Sequence, residues 1–296
     1  MINFIFGNHG SGKTSKILDM LKDDAKAGIT SLLIVPEQEA VQAERLTLQA
    51  LPASAQLSLE VLNFSRLYNR VCREYGGLCY SYITTPMKHI TMWKALREVS
   101  PLLTKYSSNA ENDPAFVGTM LSTVIQLKSS GLSQNELENA ANECAESDSD
   151  LSARLLDITR IWGAYDLFVN EAYSDSADDL SRLCEMLDEH DFFKDKNVYI
   201  DSFSSFTPIE HRVIEKIFSG ARNTTVSICL PTPHYSDIST ESIEKSLKAL
   251  KKPQTNGAVT LTLCFPAIRG ALTRLCLIYP TIFGSLTLLM ISQVPL

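Results

Sequence analysis

The sequence predicts an α/β fold, a parallel sheet covered by helices and interrupted by an all-helical stretch. Three observations carry this. Short apolar runs at residues 2–6, 31–35, 58–62 and 197–201 alternate with helical patterns. A glycine-rich loop follows the first run directly. Between residues 86 and 190 the β-type runs vanish, while apolar residues recur at helical spacing.

Residues 2–6 (Ile-Asn-Phe-Ile-Phe) form the first strand. The next eight residues, Gly7, Asn8, His9, Gly10, Ser11, Gly12, Lys13 and Thr14, fill the P-loop template G-x-x-x-x-G-K-[ST] at every fixed position. Residues 15–21 then open an amphipathic helix, so strand, loop and helix follow in the order that phosphate binding requires. Without a Cβ, the three glycines let successive N–H groups turn inward at the positive end of the helix dipole. Lys13 would reach the β- and γ-phosphates of a nucleotide such as ATP, and the Thr14 hydroxyl would ligate Mg²⁺. A glycine turn with a chance lysine is the plainer alternative, and the flanking strand and helix argue against it.

The second strand, 31–35, stops at Pro36, and residues 37–51 read as a helix. Residues 58–62 form a third strand. Asn63 is placed to cap a helix over 64–75 that ends at Gly76 and Gly77. Helical periodicity follows at 89–96, 116–127 and 151–168, separated by polar breaks at 107–114 and 147–150. The acidic run 143–150 reads as a solvated loop, and Trp93 and Trp162 as core residues rather than base-stacking ones. The strand pattern returns at 197–201 and ends in Asp201, where a carboxylate can hold the water shell of Mg²⁺ opposite Thr14. An ordinary strand-end aspartate is the alternative. The resulting division is a core in two parts, 1–85 and 192–232, a helical insertion at 86–191, and a linker with an apolar tail at 233–296.

Composition narrows the classes of function. The chain has 296 residues, 45% hydrophobic and 21% charged, with a net charge of −7, so no bulk basic footprint points to nucleic acid and only a local patch could supply one. Its seven cysteines show no C-x₂-C spacing, which argues against zinc or a redox pair. The first residues lack a secretory signal pattern, so a cytoplasmic location is expected. From Lys245 onward there is no Asp or Glu, a composition shift that marks a boundary. The uncharged run 275–296 is long enough nominally to span a bilayer, but Pro280, Gly284 and several hydroxyl residues dilute it. A truncated or out-of-frame end is the preferred reading, and no membrane contact is expected.

Three further strings make a family resemblance specific. Residues 33–38 (Leu-Ile-Val-Pro-Glu-Gln), 61–67 (Val-Leu-Asn-Phe-Ser-Arg-Leu) with Arg70 and Val71, and 199–208 (Tyr-Ile-Asp-Ser-Phe-Ser-Ser-Phe-Thr-Pro) resemble segments of the AddB family, the B subunit of the bacterial ATP-dependent helicase/deoxyribonuclease. The last string is similar to the family signature D-G-F-x-x-F-T-P, with Ser202 in the glycine place. The resemblance covers about residues 1–230. It implies a RecA-like core of the superfamily 1 helicase type, ATP and Mg²⁺ as cofactors, an AddA partner in a heterodimer, and processing of DNA double-strand ends for recombinational repair. It also suggests Pro36, Gln38, Phe64 and Arg66 for the DNA-facing side. Helicases of superfamily 1 place a glutamate directly after the strand-end aspartate to activate water, whereas Ser202 stands there in this chain. The family's nuclease domain and four-cysteine iron–sulfur cluster lie in later parts, and Cys264 and Cys276 do not reproduce the cluster spacing. Neither nuclease activity nor a cluster is expected of this polypeptide. A P-loop kinase for a small metabolite, with Lys88, Lys94 and Arg97 in a lid, and a non-hydrolysing nucleotide-binding scaffold are the other readings.

Overall fold

The structure, a computed structural model, describes residues 1–77, 81–106, 113–230, 259–263, 275–279 and 288–289. It is an α/β fold built on one eight-stranded sheet. In chain order the elements begin with β1 (Ile2–Phe6), α1 (Lys13–Lys26), β2 (Ser31–Ile34), α2 (Ala40–Ala50), α3 (Ala53–Gln56), β3 (Leu59–Leu62) and α4 (Phe64–Tyr75). Five helices follow, α5 (Thr85–Val99), α6 (Pro114–Ser129), α7 (Gln134–Cys144), α8 (Ser149–Asn170) and α9 (Asp179–Glu189). The chain then returns through β4 (Asn197–Ile200), α10 (Pro208–Gly220) and β5 (Asn223–Ile228) to β6 (Val259–Leu263), β7 (Leu275–Tyr279) and β8 (Leu288–Leu289).

The strand order is β3-β2-β4-β5-β1-β6-β7-β8. Strands β3 to β6 in that order run parallel, whereas β7 and β8 are antiparallel additions. β2 and β4 are buried at every position, as expected of parallel strands whose two faces are both covered. The four strands expected from the sequence are thus present. β5 is an addition to them, and β6 to β8 fall in the stretch assigned above to linker and tail. The helix expected from residue 37 starts later, because the chain first makes a single 3₁₀ turn at Glu37–Glu39 after Pro36.

Polar contacts at the amino ends of the strands seat α1 on the sheet. The Asp24 carboxylate accepts from the Ser31 hydroxyl at 2.8 Å, the Asn197 amide at 2.8 Å and the Tyr199 hydroxyl at 2.7 Å. Burial and this bond both push the Tyr199 hydroxyl pKa up, so it stays a donor. Beside it, Ile5, Ile17, Leu21, Leu33 and Val35 form an apolar core.

The chain divides into two compact units, residues 1–71 with 184–206 and 210–296, and residues 72–183 with 207–209. Within the second, Met92, Leu96, Leu121, Val124, Ile161, Trp162 and Tyr165 are buried together. The Lys128 ammonium, its side chain only 2% exposed, lies 2.9 Å from Asp178 and 2.5 Å from Asp166. Asp175, fully buried, accepts from Lys88 at 2.7 Å and from the Tyr165 hydroxyl at 3.1 Å. These charges join α5, α6, α8 and the turn before α9.

Three points of the sequence reading are corrected in this unit. Neither α7 nor α9 is among the helices expected from the sequence, although Ser133 and Glu136 make a capping box before α7. The acidic run is not a bare solvated loop. Asp148 caps α8 through the N–H groups of Asp150 and Leu151, and Asp150 pairs with Lys105 and Arg154. Trp162 is in the core at 4% exposure, but Trp93 is 41% exposed.

Candidate functional site

The loop between β1 and α1 is held open by backbone geometry. Gly10 and Gly12 sit at φ 76° and 87°, the left-handed region that penalises any side chain. A Cβ at either would meet nothing within 4 Å, so the space before the loop is clear and the need for glycine is conformational. The amide of Ser11 bonds the Asn8 carbonyl at 3.1 Å, which tightens the turn, and Gly12 caps α1 without a side chain. Lys13 folds back so that its ammonium donates to the carbonyls of Gly7 and Asn8, both at 2.9 Å. The Ser11 hydroxyl is buried without a partner among the described residues.

Thr14, on the first turn of α1, donates its hydroxyl to Asp201 Oδ2 at 2.9 Å across 187 residues of sequence. Asp201 lies just past the end of β4, 3% exposed, and its N–H donates to the Ile34 carbonyl at 3.0 Å. The Ser227 hydroxyl on β5 donates to its other carboxylate oxygen. Ser227 is the site residue that sequence reading missed. The signal was the β-branched run Thr224, Thr225, Val226 and Ile228, which marks a strand. A hydroxyl and a carboxylate this close are hard oxygen donors of the kind that suit Mg²⁺ and its water shell. The residues present therefore fit that cation. Among the described residues no cluster of three or more His, Cys, Asp or Glu side chains could hold a metal by itself.

Beside the loop, a cleft of about 430 Å³ opens at the carboxyl ends of β2, β3 and β4, the usual ligand face of a parallel sheet. Pro36, Gln38, Asn63, Phe64, Ser202 and Phe203 line it. Phe64, Phe203, Phe206 and His211 form a ladder of rings with successive centroids 5.5, 4.8 and 5.6 Å apart. Burial lowers the His211 pKa, which favours the neutral ring. Three carboxylates, Glu37, Glu39 and Glu210, also line the cleft, and among the described residues no lysine or arginine does. Of the four residues suggested for the DNA-facing side, Pro36, Gln38 and Phe64 meet here. Arg66 does not line the cleft and instead pairs with Glu44. A small cavity of about 70 Å³, lined by Thr14, Asp201 and Ser202 among others, shares Val35, Glu39 and Ser202 with the cleft.

Comparison with known proteins settles the relationship. The family model for the N-terminal region of ADDB matches residues 4–252. The chain belongs to the AddB N-terminal family. The B subunit of the ATP-dependent helicase/deoxyribonuclease from Acetivibrio thermocellus is 30% identical over 230 residues, 77% of this chain and 20% of that protein. The proteins of the same name from Clostridium kluyveri and Caldanaerobacter subterraneus are 31% and 29% identical, covering 77% and 86% of this chain and 20% and 22% of their own lengths. The chain spans about a fifth of the length of the curated relatives it matches.

Against the family signature, the substituted position has a conformational cause. Ser202 stands at φ 67°, one of two described non-glycine residues with positive φ, so the signature glycine occupies a place where the backbone turns left-handed. No described helix is long and apolar enough to cross a membrane. The uncharged run from residue 275 lies mostly outside the described residues, and so do Cys264 and the end of the tail. Its described parts, β7 and β8, are strands.

Proposed function

We propose that residues 7–14 bind the phosphates of ATP, with Mg²⁺ held by Thr14 and, through water, by Asp201. In this reading residues 1–85 and 192–232 make a RecA-like core around a helical insertion, 86–191. The chain then supplies the nucleotide-binding N-terminal region of an AddB subunit. That subunit partners AddA in the cytoplasm to process DNA ends for recombinational repair.

The observation that carries the nucleotide reading is the 2.9 Å bond from Thr14 to Asp201, because it joins the loop's hydroxyl to the carboxylate at the end of β4. Lys13 is the part of the loop that has to change partners. Its ammonium exchanges the Gly7 and Asn8 carbonyls for phosphate oxygens, a charge-assisted contact that outweighs neutral ones. Mg²⁺, held by Thr14 and, through water, by Asp201, would supply charge neutralisation on the bound phosphates. Asp201, fixed by Ser227 and by the Ile34 carbonyl, needs no reorganisation to face that charge.

The cleft beside the loop suits the DNA-facing role for a particular part of DNA. The half-buried Phe203 ring can meet an exposed base, with Phe64 buried behind it at 6% exposure, whereas Glu37, Glu39 and Glu210 repel phosphates. Arg66, outside the cleft and paired with Glu44, serves its edge at most through the backbone of the strand.

Ser202 favours a second reading, a nucleotide-binding scaffold that turns over slowly, since the residue after Asp201 has no carboxylate to activate water. The kinase reading loses support because Lys88 is committed to Asp175. ATP turnover measured with and without single-stranded DNA separates these readings. Slow hydrolysis with weak stimulation is expected. Brisk DNA-stimulated hydrolysis would mean that another carboxylate, such as Glu37 or Glu210, acts as the base. Copurification with AddA from cells tests the partner.

A further inference from the structure

The exposed tryptophan has a setting that core packing does not explain. α5 turns His89, Ile90, Trp93, Lys94, Arg97 and Glu98 to solvent, and Trp93 is 41% exposed. The Lys94 ammonium lies 4.0 Å from the centroid of the Phe168 ring on α8, and the Arg97 guanidinium lies 5.7 Å from that of Trp93. Neither cation has a carboxylate partner among the described residues. Lys22, Lys26, Arg66, Arg154 and Lys216 each sit on an Asp or Glu, whereas the exposed Arg45, Arg73, Lys194 and Arg222 share with Lys94 and Arg97 the lack of an ion pair among the described residues. Glu98 is the one acid on this face of α5, in a chain whose net charge is −7.

Of the two helices packed on α5, α6 adds no negative charge. α8 carries Asp150, paired with Lys105 and Arg154, Asp157, paired with Arg160, and Asp166, paired with Lys128, with the exposed Glu171 at its end. The His89 ring lies over Gly118 of α6, and α6 carries no charged side chain before Lys128. Two of its exposed hydroxyls, Thr119 and Ser122, donate to carbonyls of their own helix at 2.9 Å.

We infer that this face of α5 binds single-stranded nucleic acid, with a base stacked on Trp93 and phosphates on Lys94 and Arg97. Cations alternating with rings are what a strand with unpaired bases requires, because each base offers a π-face and each linkage one negative charge. A duplex keeps its bases stacked inside, and an acidic polypeptide offers charge without rings. None of these residues belongs to the loop or the cleft described above, so the surface stands or fails independently of the nucleotide site.

The chain contains two tryptophans, one of them buried, which gives the surface its own reporter. In Trp162→Phe, only Trp93 fluoresces. Titration of this full-length variant with single-stranded oligothymidylate should quench it saturably, and less at higher salt. Lys94→Glu with Arg97→Glu should weaken the half-point by at least about tenfold. It should also reduce the slope of log K against log salt by about 1.4, near 0.7 for each phosphate that is no longer neutralised. If the double variant melts differently from its parent, Lys94→Gln with Arg97→Gln replaces it. As a check in the unmodified background, Trp93→Phe should abolish the fluorescence change. Absent quenching, quenching undiminished by loss of the two charges, or equal quenching by polyglutamate would overturn the assignment.

Discussion

Ser202 shows how one residue links backbone, family signature and chemistry. Its φ of 67° costs a side-chain-bearing residue about 1 kcal/mol that glycine does not incur, partly offset by the larger freedom glycine has when unfolded. Ser202→Gly should therefore raise stability by roughly 0.5–1 kcal/mol, read as a higher urea midpoint with an unchanged slope. A lower midpoint would mean that the serine side chain has a stabilising role there. Ser202→Glu tests the chemistry at the same position, and faster ATP turnover is expected if the place matches that of a helicase base. At this scale the sequence is readable where chemistry fixes spacing. A phosphate cradle needs glycines and a lysine at set intervals, and Asp201 follows an apolar strand. Ser227 is not readable, because its hydroxyl meets Asp201 only after the sheet places β5 next to β4.

Among the elements, the helical unit depends on buried charge. Removing Lys128 would leave Asp166, Asp175 and Asp178 around an empty place, so Lys128→Ala should cost about 3–5 kcal/mol, measured by chemical denaturation. An effect below about 1 kcal/mol would show that the cluster is well solvated. Asp179 gives the unit a pH response. Burial pushes its carboxyl pKa from 3.8 up to about 6, against the Tyr82 hydrogen bond that lowers it. Because the folded value lies above the unfolded one, the folded state binds the proton more tightly. Stability from this group is fully present below about 4 and is lost as pH rises through 6. Thermal melts should thus show stability rising as the pH falls from about 7 towards about 4.5, with Asp179→Asn flattening that rise. α7 is within reach of sequence reading through Ser133 and Glu136. β5 is legible only through its β-branched residues and is easily passed over, because Thr224, Thr225 and Ser227 give a buried strand a polar look.

On the scale of the whole molecule, the tail changes meaning. β6 pairs with β1 in parallel, Ile2 opposite Val259 through Phe6 opposite Leu263, so it covers the edge of the strand that leads into the loop. Composition alone could not show this, since the absence of acids after Lys245 says nothing about pairing. Deleting residues 245–296 removes that strand and leaves β1 at an open edge, a destabilising and aggregation-prone state. The expected outcome is a lower melting temperature and weaker nucleotide binding. Unchanged cooperative melting would mean that the tail is dispensable to the core.

The most direct test of the central claim is the binding of a fluorescent ATP analogue with and without Mg²⁺. The unmodified chain should bind it more tightly with Mg²⁺. Lys13→Ala should lose about 1.5–3 kcal/mol, roughly tenfold to a hundredfold in affinity. Asp201→Asn should keep the Mg²⁺-free affinity and lose the Mg²⁺ enhancement. Equal affinities in all three proteins would contradict the assignment of residues 7–14 and Asp201 as a nucleotide site.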